Sequence, residues 1–311
     1  MSDTIRGLRG RDLVSIADLT PEESAAVLAL AAAMKRGDAG RDNPLAGKTL
    51  VTIFEKPSLR TRVTFDVAMT QLGGHAIYLQ PQEIQIGARE SVEDVARCLS
   101  RWIDGMMART FAHATLVDLA KHAAVPIING LSDYEHPVQA YADYQTIIER
   151  KGDPKGLKVV YVGDGNNVCH SLMLLAAQVG SHFVSASPHG YQPEPDVTEA
   201  ACRIAEQTGG SVTIETAPRI GVKDADVVYT DVWTSMGQEQ ERERRLSVFQ
   251  DYQINSDLLQ YAKRDAIVLH CLPAHRGEEI TDEVIEGPQS AVFDQAENRL
   301  HSEKAILAAL L

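Results

Sequence analysis

The chain has 311 residues, which at roughly 150 residues per domain points to two domains. It is 44% hydrophobic and 23% charged, with 22 Gly and 13 Pro, an ordinary globular composition that excludes disordered, collagen-like and mini-protein readings. Acidic residues outnumber basic ones, 43 to 30, for a formal charge of −13, a balance opposed to nucleic-acid binding, which needs a basic face.

The elements alternate along the chain. Thr20-Pro21-Glu22-Glu23 is a capping box with Pro at the first helical position, predicting a helix to about Lys35. Then come a strand over Thr49–Phe54, a helix near Leu59–Leu72, a strand over His75–Leu79 and a helix from Ser91-Val92-Glu93-Asp94. A short strand, Gly105–Ala108, a helix over Ala114–His122, a strand over Pro126–Ile128 and a longer helix after Pro137 follow. The turn-rich stretch from Arg150 to Gly156 is the expected domain boundary. Beyond it the pattern restarts, with strands over Lys158–Val162, His182–Ser185, Ser211–Ile214, Val227–Thr230 and Ala266–Leu269, and helices over Val168–Val179 and Thr198–Gln207. Such alternation predicts an α/β fold of two domains, each a parallel sheet flanked by helices. The charge run Glu239–Arg245 reads as a solvated helix face.

Cys98, Cys169, Cys202 and Cys271 form no CxxC pair, and MSDTIRGLRGRD at the N-terminus has no signal-type apolar stretch. No window approaches the ~18 consecutive apolar residues of a membrane span. A reduced, cytoplasmic protein with no membrane or nucleic-acid partner is expected.

Polar residues of unusual type gather where the predicted strands end, the place at which open parallel sheets bind ligands. Phe54 is followed by Lys56 and Ser58-Leu59-Arg60-Thr61-Arg62, and Met106-Met107-Ala108 by Arg109. His136-Pro137-Val138-Gln139 follows the strand at Ile128, and Gly163-Asp164-Gly165-Asn166-Asn167, Asp231 and His270-Cys271-Leu272-Pro273 directly follow strands of the second half. Six such coincidences point to one cleft between two domains. Ser58 is a natural N-cap, so Arg60 and Arg62 occupy a first helical turn that normally attracts acids. An anion among Lys56, Arg60 and Arg62, with phosphate foremost, resolves that conflict; pairing with surface carboxylates is the alternative. His136 precedes a helix whose dipole favours neutral imidazole, able to polarise a carbonyl, though a capping or core histidine is equally consistent. GDGNN lacks the third Gly of a dinucleotide fingerprint. Cys271 reads by default as a buried structural thiol, and neither a protease dyad with His136 or His275 nor zinc held by His270, Cys271 and His275 matches a known signature.

The motifs SLRTR, HPVQ, GDGNN, DVWTSMGQE, HCLPAHRG and AENR, in this order from about Leu45 to the C-terminus, resemble the aspartate/ornithine carbamoyltransferase family. HCLP with the SMG segment resembles its ornithine-using branch. The aspartate branch typically has proline in place of Cys271 and lysine in the loop that here reads QEIQIGARES. Leu59 departs from the threonine of many members, but its backbone N–H remains able to donate. The resemblance implies a carbamoyl-phosphate-binding domain over 1–150, onto which a helix of about 296–311 packs back, and an ornithine-binding domain over 151–295. It implies that Ser58, Leu59, Arg60 and Thr61 bind the phosphate, that Arg109 bridges phosphate and carbonyl oxygen, and that His136 and Gln139, with Pro137 and Val138 beside them, hold the carbamoyl group. Arg299 and the backbone at Cys271–Leu272 complete that site. Gln85 matches a position that reaches a neighbouring subunit's active site, hence a homotrimer or an assembly of trimers. Asn167, Asp231, Ser235 and Met236 match the ornithine-binding positions, and the Asp231–Glu239 loop is expected to close over the substrate. The catalytic set implied is Arg60, Arg109, His136, Asp231, Cys271 and Arg299, with no metal and no organic cofactor. The implied activity is carbamoyl transfer to the δ-amine of L-ornithine, giving citrulline in arginine metabolism; the rivals are transfer to putrescine, N-acetylornithine or aspartate, and a non-catalytic anion-binding protein.

Overall fold

The computed structural model describes residues 2–80, 89–235 and 239–311. Nine strands among them form two wholly parallel sheets. The chain divides into two compact units, one comprising Met1–Gln145 with Glu297–Leu311, the other Thr146–Ala296.

In the first unit, β1 (Thr49–Phe54), β2 (His75–Leu79), β3 (Gly105–Arg109) and β4 (Ile127–Leu131) lie in the order β2-β1-β3-β4. The central strands β1 and β3 are buried almost throughout, which is why they read as continuous apolar runs rather than alternating ones. Val51 and Ile53 of β1 pack with Met106, Ala108, Leu116 and Leu119 as one core. The chain leaves β1 for β2 on one side and returns to β3 on the other, so the ends of β1 and β3 flank the topological switch point.

In the first unit two strands run further than expected. β3 includes Arg109. β4 continues through Asn129 to Leu131, because the fully buried Asn129 amide donates to the Val14 carbonyl (2.8 Å) and so tolerates the interior.

In the second unit, β5 (Lys158–Val162), β6 (His182–Ala186), β7 (Ser211–Glu215), β8 (Val227–Thr230) and β9 (Ile267–His270) lie in the order β7-β6-β5-β8-β9. Its switch point falls between β5 and β8. The helix Asn167–Val179 that follows β5 is buried from Val168 to Gln178; being apolar on nearly every face, it has no solvent side to present. Trp233 stacks on Phe249 (5.8 Å between centroids) within a core that includes Val160, Val228 and Val268.

The charge run corrects one expectation. Residues 242–244 of the helix Arg242–Val248 are exposed, but Arg245 is only 6% exposed. Its Nη1 donates to Asp164 Oδ2 (2.8 Å) and to the Trp233 carbonyl (3.0 Å), and its guanidinium lies 4.9 Å from the Tyr191 ring.

Candidate functional site

In the first unit, Ser58 caps the helix Leu59–Gln71, its Oγ accepting the Thr61 N–H (3.3 Å). Two of the three cations expected to share an anion there also lie over aromatic rings. Arg62 lies 3.9 Å over the Tyr78 ring, and Lys56 Nζ 4.6 Å over the Phe111 ring, contacts that attract each cation electrostatically. The convergence lies elsewhere, around His136. Burial, followed by the charges of Arg299, Arg109 and Arg60, holds this imidazole well below its usual pKa. His136 is therefore neutral, at the start of the helix Pro137–Lys151, with three guanidiniums near enough to act on it.

Arg299 is held on every side. Nη1 donates to Gln139 Oε1 (2.8 Å), Nη2 to Thr61 Oγ1 (3.1 Å), and Nε and Nη2 to Glu303 Oε1 (3.0 and 2.6 Å). Gln139 in turn donates to Asp143 Oδ1 (2.7 Å). One turn of helix separates Arg299 from Glu303, and Glu303 is fully buried. Burial pushes its carboxyl up to about 7 despite the pull of Arg299.

The structure thus brings Thr61, Gln139 and Arg299 into one network, with Arg60, Arg109 and His136 beside it. Pro137 and Val138 are buried and carry no polar side-chain atom, while the Leu59 side chain is 74% exposed; these three can serve a ligand only through the backbone. Gln85 lies outside the described residues.

In the second unit, Asp231 directly follows β8 and is buried. Its Oδ1 accepts from the Cys271 thiol (3.0 Å) and its Oδ2 from Asn166 Nδ2 (3.0 Å). The Asn166 Oδ1 caps the helix Asn167–Val179 by accepting from Val168 and Cys169 N–H, and also accepts from Tyr161 Oη (3.2 Å). Asn167 is the first helical residue, and Ser235 is half-buried beyond Trp233. Met236 lies outside the described residues, as do Gly237 and Gln238. Gly163 (φ +139°) and Gly165 make the loop between β5 and the helix Asn167–Val179 possible: a Cβ on Gly165 would fall 2.2 Å from the Pro193 nitrogen.

Cys271 and Leu272 follow β9, and Leu272 has a left-handed φ of +58°. The ligand atoms of Asp231, His270 and Cys271 lie within 4.8 Å of one another. Both imidazole nitrogens are nevertheless engaged, Nδ1 with the Leu272 N–H and Nε2 with Glu279, so the group is organised as a hydrogen-bonded chain.

Several residues of these networks escape a reading of the sequence. Asn166 bonds Asp231; its N-cap position before a helix is the signal that the sequence offers. Glu303 stands four residues after Arg299 on one helix, a spacing visible in AENRLHSE. Asp164, raised to about 6 by burial against the opposing pull of Arg245, left no local signal for its partner.

Polar groups gathered at the carboxyl ends of parallel strands, in two separate units, define an α/β enzyme of the class that binds ligands at topological switch points. Residues 11–149 match the family model for the carbamoyl-P binding domain of aspartate/ornithine carbamoyltransferase, and residues 155–310 the model for its Asp/Orn binding domain. An ornithine carbamoyltransferase of Pyrococcus horikoshii is 55% identical over 98% of this chain and 96% of its own length. One of Pyrococcus furiosus, named as anabolic, is 54% identical over 98% of this chain and 97% of its own. The solved structure of ornithine carbamoyltransferase from Pyrococcus furiosus superposes with a TM-score of 0.94 at 53% identity, covering 97% of each chain. The chain belongs to the aspartate/ornithine carbamoyltransferase family, and is a transferase.

Proposed function

We propose that this protein transfers the carbamoyl group of carbamoyl phosphate to the δ-amine of L-ornithine, giving L-citrulline and phosphate. The observation that carries the choice of acceptor is the buried Asp231, with Cys271 and Asn166 on its two oxygens. A buried carboxylate in a ligand site calls for a cation, and the free α-ammonium of ornithine supplies one; N-acetylornithine has an acylated, uncharged nitrogen there, whereas putrescine keeps the ammonium and lacks the α-carboxylate. The 55% identity to a relative named ornithine carbamoyltransferase supports the same acceptor.

In this reading Ser58, Leu59, Arg60 and Thr61 take the phosphate through N–H, hydroxyl and guanidinium donors. Arg109 bridges phosphate and carbonyl oxygen. Neutral His136 donates to the carbonyl oxygen while Gln139 and Arg299, with the backbone at Cys271–Leu272, hold the carbamoyl group. Asn167, Asp231, Ser235 and Met236 orient ornithine by its α-groups. The neutral δ-amine attacks the carbonyl carbon, forming the new C–N bond. The tetrahedral intermediate then expels phosphate with the electrons of the broken C–O bond, and phosphate accepts the proton shed by nitrogen. Charge grows on the carbonyl and phosphate oxygens, and in this reading the arginines and His136 are the preorganised donors that stabilise it.

The protein is further proposed to work in the cytoplasm, in arginine synthesis, as a homotrimer or an assembly of trimers to which Gln85 contributes a neighbouring-subunit contact. Among the described residues no helix is long and apolar enough to cross a membrane. Sedimentation equilibrium tests the assembly, and a monomer at assay concentration rules it out. The activity is tested by phosphate release and ureido-product formation from carbamoyl phosphate with L-ornithine, putrescine, N-acetylornithine and L-aspartate supplied separately. Citrulline formation with ornithine alone is expected; turnover with N-acetylornithine instead removes the assignment of Asp231, and turnover with putrescine or aspartate overturns the choice of acceptor.

A further inference from the structure

Three helices meet at one guanidinium within the first unit. Thr61 stands in the first turn of the helix Leu59–Gln71, Gln139 in the first turn of Pro137–Lys151, and Arg299 on Val292–Leu310. Arg299 is buried, as are Thr61 and Gln139. Taking such a cation out of water is costly unless an anion and further acceptors replace its hydration. Among the described residues its only ion-pair partner is Glu303, one turn along its own helix and wholly buried.

The contacts of Arg299 are not alike. Thr61 and Gln139 belong to the carbamoyl-phosphate site in the reading above, so their bonds to Arg299 are shared with a ligand. Glu303 has no such task. Its Oε1 accepts from both Nε (3.0 Å) and Nη2 (2.6 Å), which fixes the plane of the rigid guanidinium as well as its place. Together with the bonds to Gln139 and Thr61, this grip leaves unused a single hydrogen, on Nη1. At pH 8 the Glu303 carboxyl, lifted to about 7 by burial, is mostly ionised and sets charge against charge.

We infer that Glu303 is a positioning residue for the carbamoyl transfer, holding the Arg299 guanidinium in the orientation that leaves Nη1 to the carbamoyl group. Glu303 lies beyond the AENR motif that marks Arg299 itself. The inference rests on the reading of Arg299 as a ligand of carbamoyl phosphate.

Two substitutions separate the grip from mere filling of space. Glu303→Gln keeps an oxygen for Nε and Nη2, whereas Glu303→Leu fills the space and offers none. Each full-length variant is checked for folding by circular dichroism and compared with the parent at pH 8. Steady-state kinetics give kcat and both KM values, and calorimetric titration with carbamoyl phosphate alone gives its Kd. Phenylglyoxal modification of Arg299, relative to the exposed Arg203, is read by peptide mass spectrometry. Glu303→Leu is expected to lose about a hundredfold in kcat/KM for carbamoyl phosphate, the scale of ~1 Å of misplacement. Its Kd for carbamoyl phosphate should weaken and Arg299 should be modified several-fold faster, while KM for ornithine stays near the parent's. Glu303→Gln is expected to recover most of each property. Should Glu303→Leu fail to fold, Glu303→Ser, too short to reach Arg299 but leaving room for water, gives the same contrast. Equal losses in Glu303→Gln and its partner variant, a parent-like Glu303→Leu, or KM values for both substrates that rise together overturn the inference. A parent that binds carbamoyl phosphate but is inactive with ornithine defeats the acceptor proposed above, and the binding and modification arms still decide the role of Glu303. A parent that binds no carbamoyl phosphate overturns both.

Discussion

The ends of β1 and β3 in the first unit and of β5 and β8 in the second occupy equivalent places in their sheets, yet they carry opposite electrostatics. The first gathers Arg60, Arg109 and Arg299 around an imidazole that they and burial keep neutral. The second gathers neutral donors, a thiol and an amide, onto the carboxylate of Asp231. One topology therefore presents a cationic cluster and an acidic one, and the difference lies in the side chains of short loops rather than in the sheets. A net charge of −13 does not prevent the first from attracting an anion, because the arginines are focused locally.

The sharpest way to break the contrast is to remove the cation that serves the acidic side. Arg245→Ala leaves Asp164 buried without its partner, a change expected to cost about 3–5 kcal/mol of stability at pH 8. Because burial already raises Asp164 to about 6, and losing Arg245 raises it further, the variant's deficit should shrink on acidification to pH 5. Urea unfolding at the two pH values reads this directly; an equal deficit at both would refute the account of Asp164.

Arg60→Ala tests the cationic side. Turnover should fall roughly 10²–10³-fold, the loss typical of one donor to developing oxyanion charge, with the circular dichroism spectrum unchanged. Near-normal steady-state kinetics would remove Arg60 from the site.

Asp231→Asn replaces that carboxylate with an isostere. Losing one charge-assisted hydrogen bond of about 1.5–3 kcal/mol should raise KM for ornithine by roughly one to two orders of magnitude while KM for carbamoyl phosphate holds. Equal shifts in both constants would mean that Asp231 does not select the amine.

The smallest expected effect concerns Glu303, the carboxyl that burial lifts from 4.5 to about 7. Between those values the native state keeps a proton that the unfolded chain releases. Its contribution to stability is therefore complete below about pH 4.5 and fades as pH rises through 7. Glu303→Gln, neutral throughout, should flatten the stability profile across that window by no more than about 1.4 kcal/mol per pH unit. Thermal unfolding of both proteins from pH 4.5 to 8 supplies the comparison.

Much of this architecture was legible residue by residue. Apolar runs of buried parallel strands, the Thr20 and Ser58 caps, and the position of Arg109, His136, Asp231 and Cys271 at strand ends are short-range features, written within a few residues of where they act. SLRTR and HCLP likewise carry their chemistry locally. β4 was read short because Asn129 looks like a strand breaker until Val14, from far upstream, accepts its amide.

Partner choice was another matter. Arg62 and Lys56 suggest an anion by their place in the chain, and only the fold shows the Tyr78 and Phe111 rings beneath them. Arg245 sits in a run of charges that reads as solvated, yet its partner Asp164 stands 81 residues away; Arg299 meets Gln139 across 160. Sequence pattern determines which face of a helix is apolar and where a strand ends, because both follow from the backbone's own period. Which buried charge meets which is decided by packing: desolvation makes an unpaired ion costly, and the partner is whatever complementary group the folded chain brings within reach.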